Sequence, residues 1–278
     1  MIGPRIVTGI VVSCCLLGAA CGESRRPKSQ SVTFQRGTTE LGGILYKPEG
    51  RGPFPTVLYN HGSAPGFVNN QAFDAIAPIF VARGWAFFAP YRRGQGLSAA
   101  SGPYIMDEIR SARARGGAAV AAQTMTRLLE TDHLDDQVAA LEWLRKQPFV
   151  RPAAIATMGN SFGGIEAVLG AEHGGYCAAV DAAGGAESWK DAPPLRRRLT
   201  RAVTNAATPI LFFQAANDFD TAPSRALYAQ RKRAGKAAEL RIYPPFGKSA
   251  RAGHSFAYRG VAIWRDDVLA FLDRHCLD

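Results

Sequence analysis

The sequence predicts an α/β protein built on a mostly parallel sheet flanked by helices. Short apolar runs bounded by Gly and Pro recur along the chain, and the middle ones are continuous, as strands buried on both faces should be. Between them lie longer segments with apolar residues at helical spacing. The two kinds of segment alternate, which is the pattern of strand–helix–strand units. The 278 residues fit one large domain, and a 47% apolar content is enough to bury a sizeable core. With 20% charged and 10% aromatic residues the composition is globular rather than disordered.

Taken in order, the chain opens with Arg5, the only charged side chain before Glu23, followed by an apolar run over 6–20. A basic start, a short apolar stretch and small residues at its end describe a secretory signal over 1–20, too short to span a bilayer comfortably. Leu17-Gly18-Ala19-Ala20-Cys21-Gly22 resembles the lipobox of bacterial lipoproteins, in which the cysteine becomes the lipidated first residue. Val11-Val12-Ser13-Cys14 fits the same pattern but leaves a very short apolar core ahead of it. Plain cleavage after Ala20, with free secretion, is the competing reading, and an uncleaved N-terminal anchor is a third. The expectation is an exported bacterial protein, periplasmic or membrane-anchored, whose contact with the membrane is a lipid on Cys21. Residues 21–31 are polar and read as a tether, and 32–278 as the catalytic domain.

Strands are predicted over 31–35, 43–46, 56–60, 86–90, 154–158, 178–182, 210–214 and 240–243, giving an eight-stranded sheet. Helices are predicted over 73–83, 134–146, 162–171, 224–234 and 267–274. Leu134, Val138, Leu141 and Leu144 form one apolar stripe in the second of these. The stretch 99–131, rich in Ala, Arg and Gly, interrupts the rhythm and reads as a small helical lid or pocket wall. A second candidate cap element covers 187–208.

The chemistry centres on Gly159-Asn160-Ser161-Phe162-Gly163, which follows an apolar run and precedes a helical pattern. A sharp strand-to-helix turn of this kind lifts a serine hydroxyl above the sheet at the positive end of a helix. A serine hydroxyl needs a base. Of the 5 His, His254 lies in Ala252-Gly253-His254-Ser255-Phe256, in a loop after the last strand. His275 sits in the final helix, while His133 and His173 flank helices and are expected to face solvent. Asp218 and Asp220 follow the strand over 210–214. Asp218, nearer the strand end, is the expected partner of His254, and Asp220 is the alternative, able instead to cap the next helix. The order Ser161, Asp218, His254 is the order such a strand-and-helix scaffold uses. An oxyanion needs two N–H donors, assigned to Phe162 and to Ser63 in Tyr59-Asn60-His61-Gly62-Ser63, with His61 bracing that loop.

Together with Pro90-Tyr91-Arg92-Arg93-Gly94-Gln95-Gly96-Leu97-Ser98, these segments resemble the α/β-hydrolase superfamily from residue 31 to the C-terminus. The likeness narrows to its dienelactone-hydrolase-like and prolyl-oligopeptidase-like serine hydrolases. The resemblance implies an α/β-hydrolase fold and an enzyme that cleaves carboxylic esters through an acyl-enzyme, needing no cofactor and no metal. It implies that Arg92 and Arg93 scaffold the mouth of the site, with substrate-anion binding as the lesser option. Dienelactone hydrolases proper use cysteine where this chain has Ser161, which favours general ester chemistry. Peptidases of the related branch carry a propeller domain, for which this chain has no room. A peptidase or amidase, and a surface lipoprotein using the fold only for binding, remain the alternatives. The resemblance also implies that Cys177 and Cys276, the only cysteines outside the signal and the lipobox, lie close enough to pair.

Lys and Arg total 33 against 23 Asp and Glu, a net charge of +10. The positive residues are scattered, with the densest run at Arg196, Arg197, Arg198 and Arg201. No zinc-ligand spacing, RNA-binding aromatic signature or long basic helix accompanies them. They are read as a solvated surface, with a small-molecule ester rather than a nucleic acid as the partner.

Overall fold

The computed structural model describes residues 1, 3, 27–64 and 66–278, without the side chains of 66–68. Apart from residues 1 and 3, the signal and the lipobox lie outside the described residues. Eight strands form one sheet: β1 (Ser29–Arg36), β2 (Thr39–Tyr46), β3 (Phe54–Asn60), β4 (Ala86–Pro90), β5 (Val150–Asn160), β6 (Ala179–Ala182), β7 (Ile210–Ala215) and β8 (Ala238–Tyr243). Their order is β1-β2-β4-β3-β5-β6-β7-β8. β1 and β2 form an antiparallel hairpin whose second strand also runs antiparallel to β4, and every later pair is parallel. This is the α/β-hydrolase architecture. β1 begins at Ser29, so the tether is shorter than the sequence reading made it.

The helices are α1 (Gly66–Ala82), α2 (Ile105–Leu128), α3 (Leu134–Arg145), α4 (Phe162–His173), α5 (Pro193–Asn205), α6 (Ala222–Arg233), α7 (Ala250–His254), α8 (Phe256–Arg259) and α9 (Val261–Cys276). α1 and α9 cover one face. Phe73, Ile76 and Phe80 of α1 meet Trp264, Val268 and Phe271 of α9 over the side chains of β3, β4 and β7. α2, α4, α5 and α6 cover the other face around Ile165, Leu199, Phe212 and Leu227. α3 packs Leu141 and Leu144 against Phe34 of β1 and Phe88 of β4. Most of these side chains lose all contact with water, each worth about 1.5–3 kcal/mol.

Two expectations about the insertions resolve differently. The stretch 99–131 becomes the long helix α2, broken at Gly116 and Gly117, where φ is −152° and 74°. A π-helical turn, Leu129–His133, then joins it to α3. That turn rotates His133 inward to 1% exposure, so it does not face solvent. The segment 187–208 divides: Glu187, Ser188, Asp191 and Ala192 line a cavity, whereas the rest is a core helix rather than a cap. Leu195, Leu199, Ala202 and Val203 of α5 are fully buried, and the helix is the crossover between β6 and β7. Cys177 and Cys276 are joined by a disulfide with Cα atoms 5.1 Å apart, at the end of the sheet opposite the strand termini that carry Ser161. Among the described residues no helix is long and apolar enough to cross a membrane.

Candidate active site

β3 and β5 are neighbours, yet the chain between them leaves to build β4 on the far side of β3. Ligand sites of open α/β sheets lie at such a switch, outside the carboxyl ends of the strands. Asn160 ends β5 and Phe162 begins α4, leaving Ser161 alone in the turn with φ 56° and ψ −119°. A non-glycine residue there is strained by about 1–3 kcal/mol. The flanking glycines make the turn possible. A Cβ on Gly159 would collide with the carbonyl of Gly163, and one on Gly163 with the carbonyl of Asn60.

The structure brings Ser161, His254 and Asp218 together. His254 Nε2 stands 3.0 Å from Ser161 Oγ, and His254 Nδ1 is 2.8 Å from Asp218 Oδ1. The Phe219 N–H also donates to that oxygen, at 2.6 Å. The Asp218 side chain is fully shielded, while His254 keeps 15% exposure. Asp220 lies elsewhere: its Oδ1 accepts at 2.7 Å from the N–H of Ala222, the first residue of α6. His254 ends the short helix α7 rather than sitting in an open loop. Ser249 caps that helix through the Ala252 N–H. The close approach depends on Gly253, whose Cβ would stand 2.6 Å from the Asn217 carbonyl. Asn217 ties the two loops, donating to the carbonyls of Phe246 and Ser249 and accepting from the Phe246 N–H.

Burial works against a charge on His254. The hydrogen bond and charge of Asp218, with Glu187 adding to them, outweigh it and hold the imidazole above its ordinary range.

Ser63 follows β3 and lines, with Phe162, a cavity of about 240 Å³. The loop that carries it is held from behind. Arg92, 4% exposed, donates to the carbonyls of His61 and Gly62, both at 2.7 Å. The buried His61 ring accepts from the Arg92 N–H at Nε2 and reaches the Gly62 carbonyl at Nδ1. Burial and the Arg92 charge hold this ring neutral, well below the ordinary histidine range. Tyr104 Oη and Gln95 Nε2 donate to the Ser63 carbonyl. Arg93 grips Asp136 through its backbone N–H, Nε and Nη2. Both arginines are thus engaged inside the protein, as the scaffolding reading expects.

Met106, Ile109 and Met125 of α2 line the cavity together with Arg113 of the same helix, Glu187 and Asp191. A larger groove of about 620 Å³ along β1 and β2 shares no lining residue with it. Sequence reasoning missed Glu187, whose Oε2 is 3.8 Å from His254 Nε2, and Phe219, whose ring packs 5.3 Å from the imidazole. Neither carries a motif. Sequence reasoning also missed two buried carboxyls beneath the site. Burial pushes Glu166 up to about 7 against the pull of Arg92 at 3.7 Å, and it pushes Asp181 up to about 7 against the Gly184 N–H. Among the described residues no group of three or more His, Cys, Asp or Glu is arranged to hold a metal ion.

A model of the dienelactone hydrolase family matches residues 41–267, most of the chain and every residue of this site. The chain belongs to the dienelactone hydrolase family. Solved structures of related fold include an esterase of Pyrococcus furiosus, 14% identical with a TM-score of 0.65. That match covers 98% of this chain and 99% of the esterase. An acylaminoacyl peptidase of Pyrococcus horikoshii is 18% identical with a TM-score of 0.65, over 91% of this chain and 42% of the peptidase. A puromycin-hydrolyzing peptidase of Mycobacterium tuberculosis is 19% identical with a TM-score of 0.62, over 90% of this chain and 40% of that one. The dienelactone hydrolase family member thus spans about two fifths of those peptidases and the full length of the esterase. At these identities the likeness to solved structures is one of fold, and the family match places the chain in a family named for hydrolases.

Proposed function

We propose that the protein is a serine hydrolase that cleaves carboxylic esters through an acyl-enzyme. The observation that carries this reading is the continuous hydrogen-bonded relay from Ser161 Oγ through His254 to Asp218. Ser161 Oγ attacks the ester carbonyl carbon as His254 Nε2 takes its proton. The oxyanion that forms is met by the N–H groups of Phe162 and Ser63, the first at the N-terminus of α4. Collapse breaks the bond to the alkoxy oxygen, which leaves as the alcohol with the proton from His254. Water then adds to the acyl-enzyme, its proton passes to Nε2, and the carboxylic acid departs as Ser161 recovers its proton. Asp218 holds the ring in the tautomer that leaves Nε2 free and stabilises the imidazolium.

The Cys177–Cys276 bond supports an oxidising compartment, which agrees with export of the chain by 1–20 and with a lipid or a free amine at Cys21.

The test is hydrolysis of short-chain p-nitrophenyl esters by the full chain and by Ser161→Ala. The expected outcome is turnover that falls by about 10³-fold or more in the variant. Equal turnover in the two proteins would remove Ser161 from the reaction. Faster cleavage of matched anilides than of esters would move the reading to an amidase.

A further inference from the structure

Glu187 stands beside the reacting atoms and, among the described residues, forms no ion pair with Lys or Arg. It follows β6 in a turn fixed from several directions. The Ala183 N–H donates to the Phe213 carbonyl at 3.0 Å, and the Gly184 N–H donates to Asp181 Oδ1 at 2.7 Å. The N–H groups of Ser188 and Trp189 both return to the Gly185 carbonyl, at 2.9 and 2.8 Å. Ala183 and Gly185 take left-handed φ values of 60° and 82°, so the chain reverses sharply and offers Glu187 to the cavity from a set backbone.

The Glu187 carboxylate lies 3.8 Å from His254 Nε2, the nitrogen that faces Ser161 Oγ. Its side chain keeps 47% of its exposure. Among the described residues it forms no ion pair with Lys or Arg, although the chain carries ten more cations than anions. It shares the cavity with Ser63 and Phe162, the two residues whose N–H groups are assigned to the oxyanion. α2 contributes Met106, Ile109 and Met125 to the same cavity, and with them Arg113, which forms no ion pair with Glu187. A carboxylate here can be answered by a positive charge that arrives with the substrate, and closing the cavity around that pair strengthens it.

We propose that Glu187 selects substrates whose ammonium group lies within about three bonds of the scissile carbonyl carbon, as in aminoacyl esters. The inference rests on the serine-hydrolase reading above and names the substrate class for that site. The ammonium donates to Glu187 while the carbonyl oxygen lies between Ser63 and Phe162. A neutral acyl group of equal size fills the same space without that bond. Asp191 lines the same cavity without an ion pair to Lys or Arg among the described residues and adds negative charge there, as Arg113 adds positive.

The experiment compares p-nitrophenyl esters of alanine and of isobutyric acid, which differ by an ammonium in place of a methyl group. The full chain, Glu187→Gln, Glu187→Asp and Ser161→Ala are assayed at about pH 7, below the ordinary range of an α-amino group. Using the change on mutation cancels the different intrinsic reactivity of the two esters. Glu187→Gln is expected to lower kcat/KM for the alanine ester about ten- to hundred-fold. Loss of the Glu187 charge beside His254 shifts the acid limb for both esters alike, so the isobutyrate should fall far less than the alanine ester, and Glu187→Asp should recover part of the difference. Equal losses on both esters would overturn the proposal, because Glu187 would then be acting through His254. Unchanged kinetics on both, or cleavage of the isobutyrate alone by the full chain, would overturn it too. If the full chain cleaves neither ester, or Ser161→Ala keeps the activity, the serine-hydrolase reading fails and the inference falls with it.

Discussion

His254 is pulled two ways. Burial disfavours its charged form, whereas Asp218 at 2.8 Å and Glu187 at 3.8 Å favour it, and the carboxylates prevail. A base must be neutral to accept the serine proton. The rate kcat/KM therefore falls as pH drops through the raised pKa of His254, with its acid limb above the ordinary value of about 6.5. Asp218→Asn removes the largest favourable influence. Its kcat should drop by about 10³–10⁴-fold and its acid limb should move to lower pH. A limb that stays in place would mean that another group controls the profile. Ser161 and His254 are legible in the sequence because each sits in a glycine-flanked motif that the geometry requires, Gly159 and Gly163 around one and Gly253 before the other. Asp218 is separated from Asp220 only by the three-dimensional path of the loop. Glu187 is illegible, since an exposed glutamate in a glycine-rich turn resembles any other surface charge until the fold carries it to His254.

The loops after β3 and β4 form one brace, in which the second holds the first. Arg92 has its guanidinium between the carbonyls of His61 and Gly62, and these carbonyls precede Ser63. Arg92→Met leaves both carbonyls without a charged donor and Glu166 without its neighbouring cation. The expected cost is about 1.5–3 kcal/mol in urea unfolding, with a fall in kcat exceeding any rise in KM. An unchanged urea midpoint would show that the loop keeps its shape without Arg92. The interior strands β3, β4, β5 and β7 are legible as elements because burial on both faces leaves continuous apolar runs. β1 is an edge strand with alternating exposure, and the β2 sequence Thr39-Glu40-Leu41-Gly42-Gly43 lacks such a run, so their outer halves are hidden. α5 reads as a basic segment because its arginines mask the stripe of Leu195, Leu199 and Val203 that it buries.

For the whole molecule, the buried titratable groups set how stability varies with pH. Glu166 and Asp181, pushed up to about 7, keep their protons in the fold across a range in which the unfolded chain has lost them. Their contribution to stability therefore declines as pH rises from about 4 to about 7. His61 and His133 act in the opposite sense. Burial, with Arg92 close by, keeps them neutral in the fold, so their contribution is lost as pH falls below about 6.5. Asp181→Asn separates the two trends, since the amide still offers an acceptor to the Gly184 N–H. Its Tm relative to the parent should rise between about pH 4 and pH 7 and level off above that. A constant difference would place Asp181 in the ordinary carboxylate range. The alternating pattern made the parallel sheet legible, but not which titratable groups it buries. Those depend on crossovers that bring residues such as Arg92 and Glu166, far apart in the chain, within 3.7 Å. The Cys177–Cys276 bond, which spans 99 positions, closes a covalent ring containing Asp218 and His254 but not Ser161. A protease that cuts an exposed loop inside the ring, such as the one around Phe219, opens it without releasing a fragment. The nicked molecule keeps acid, base and nucleophile on one covalent assembly until a reductant separates the pieces.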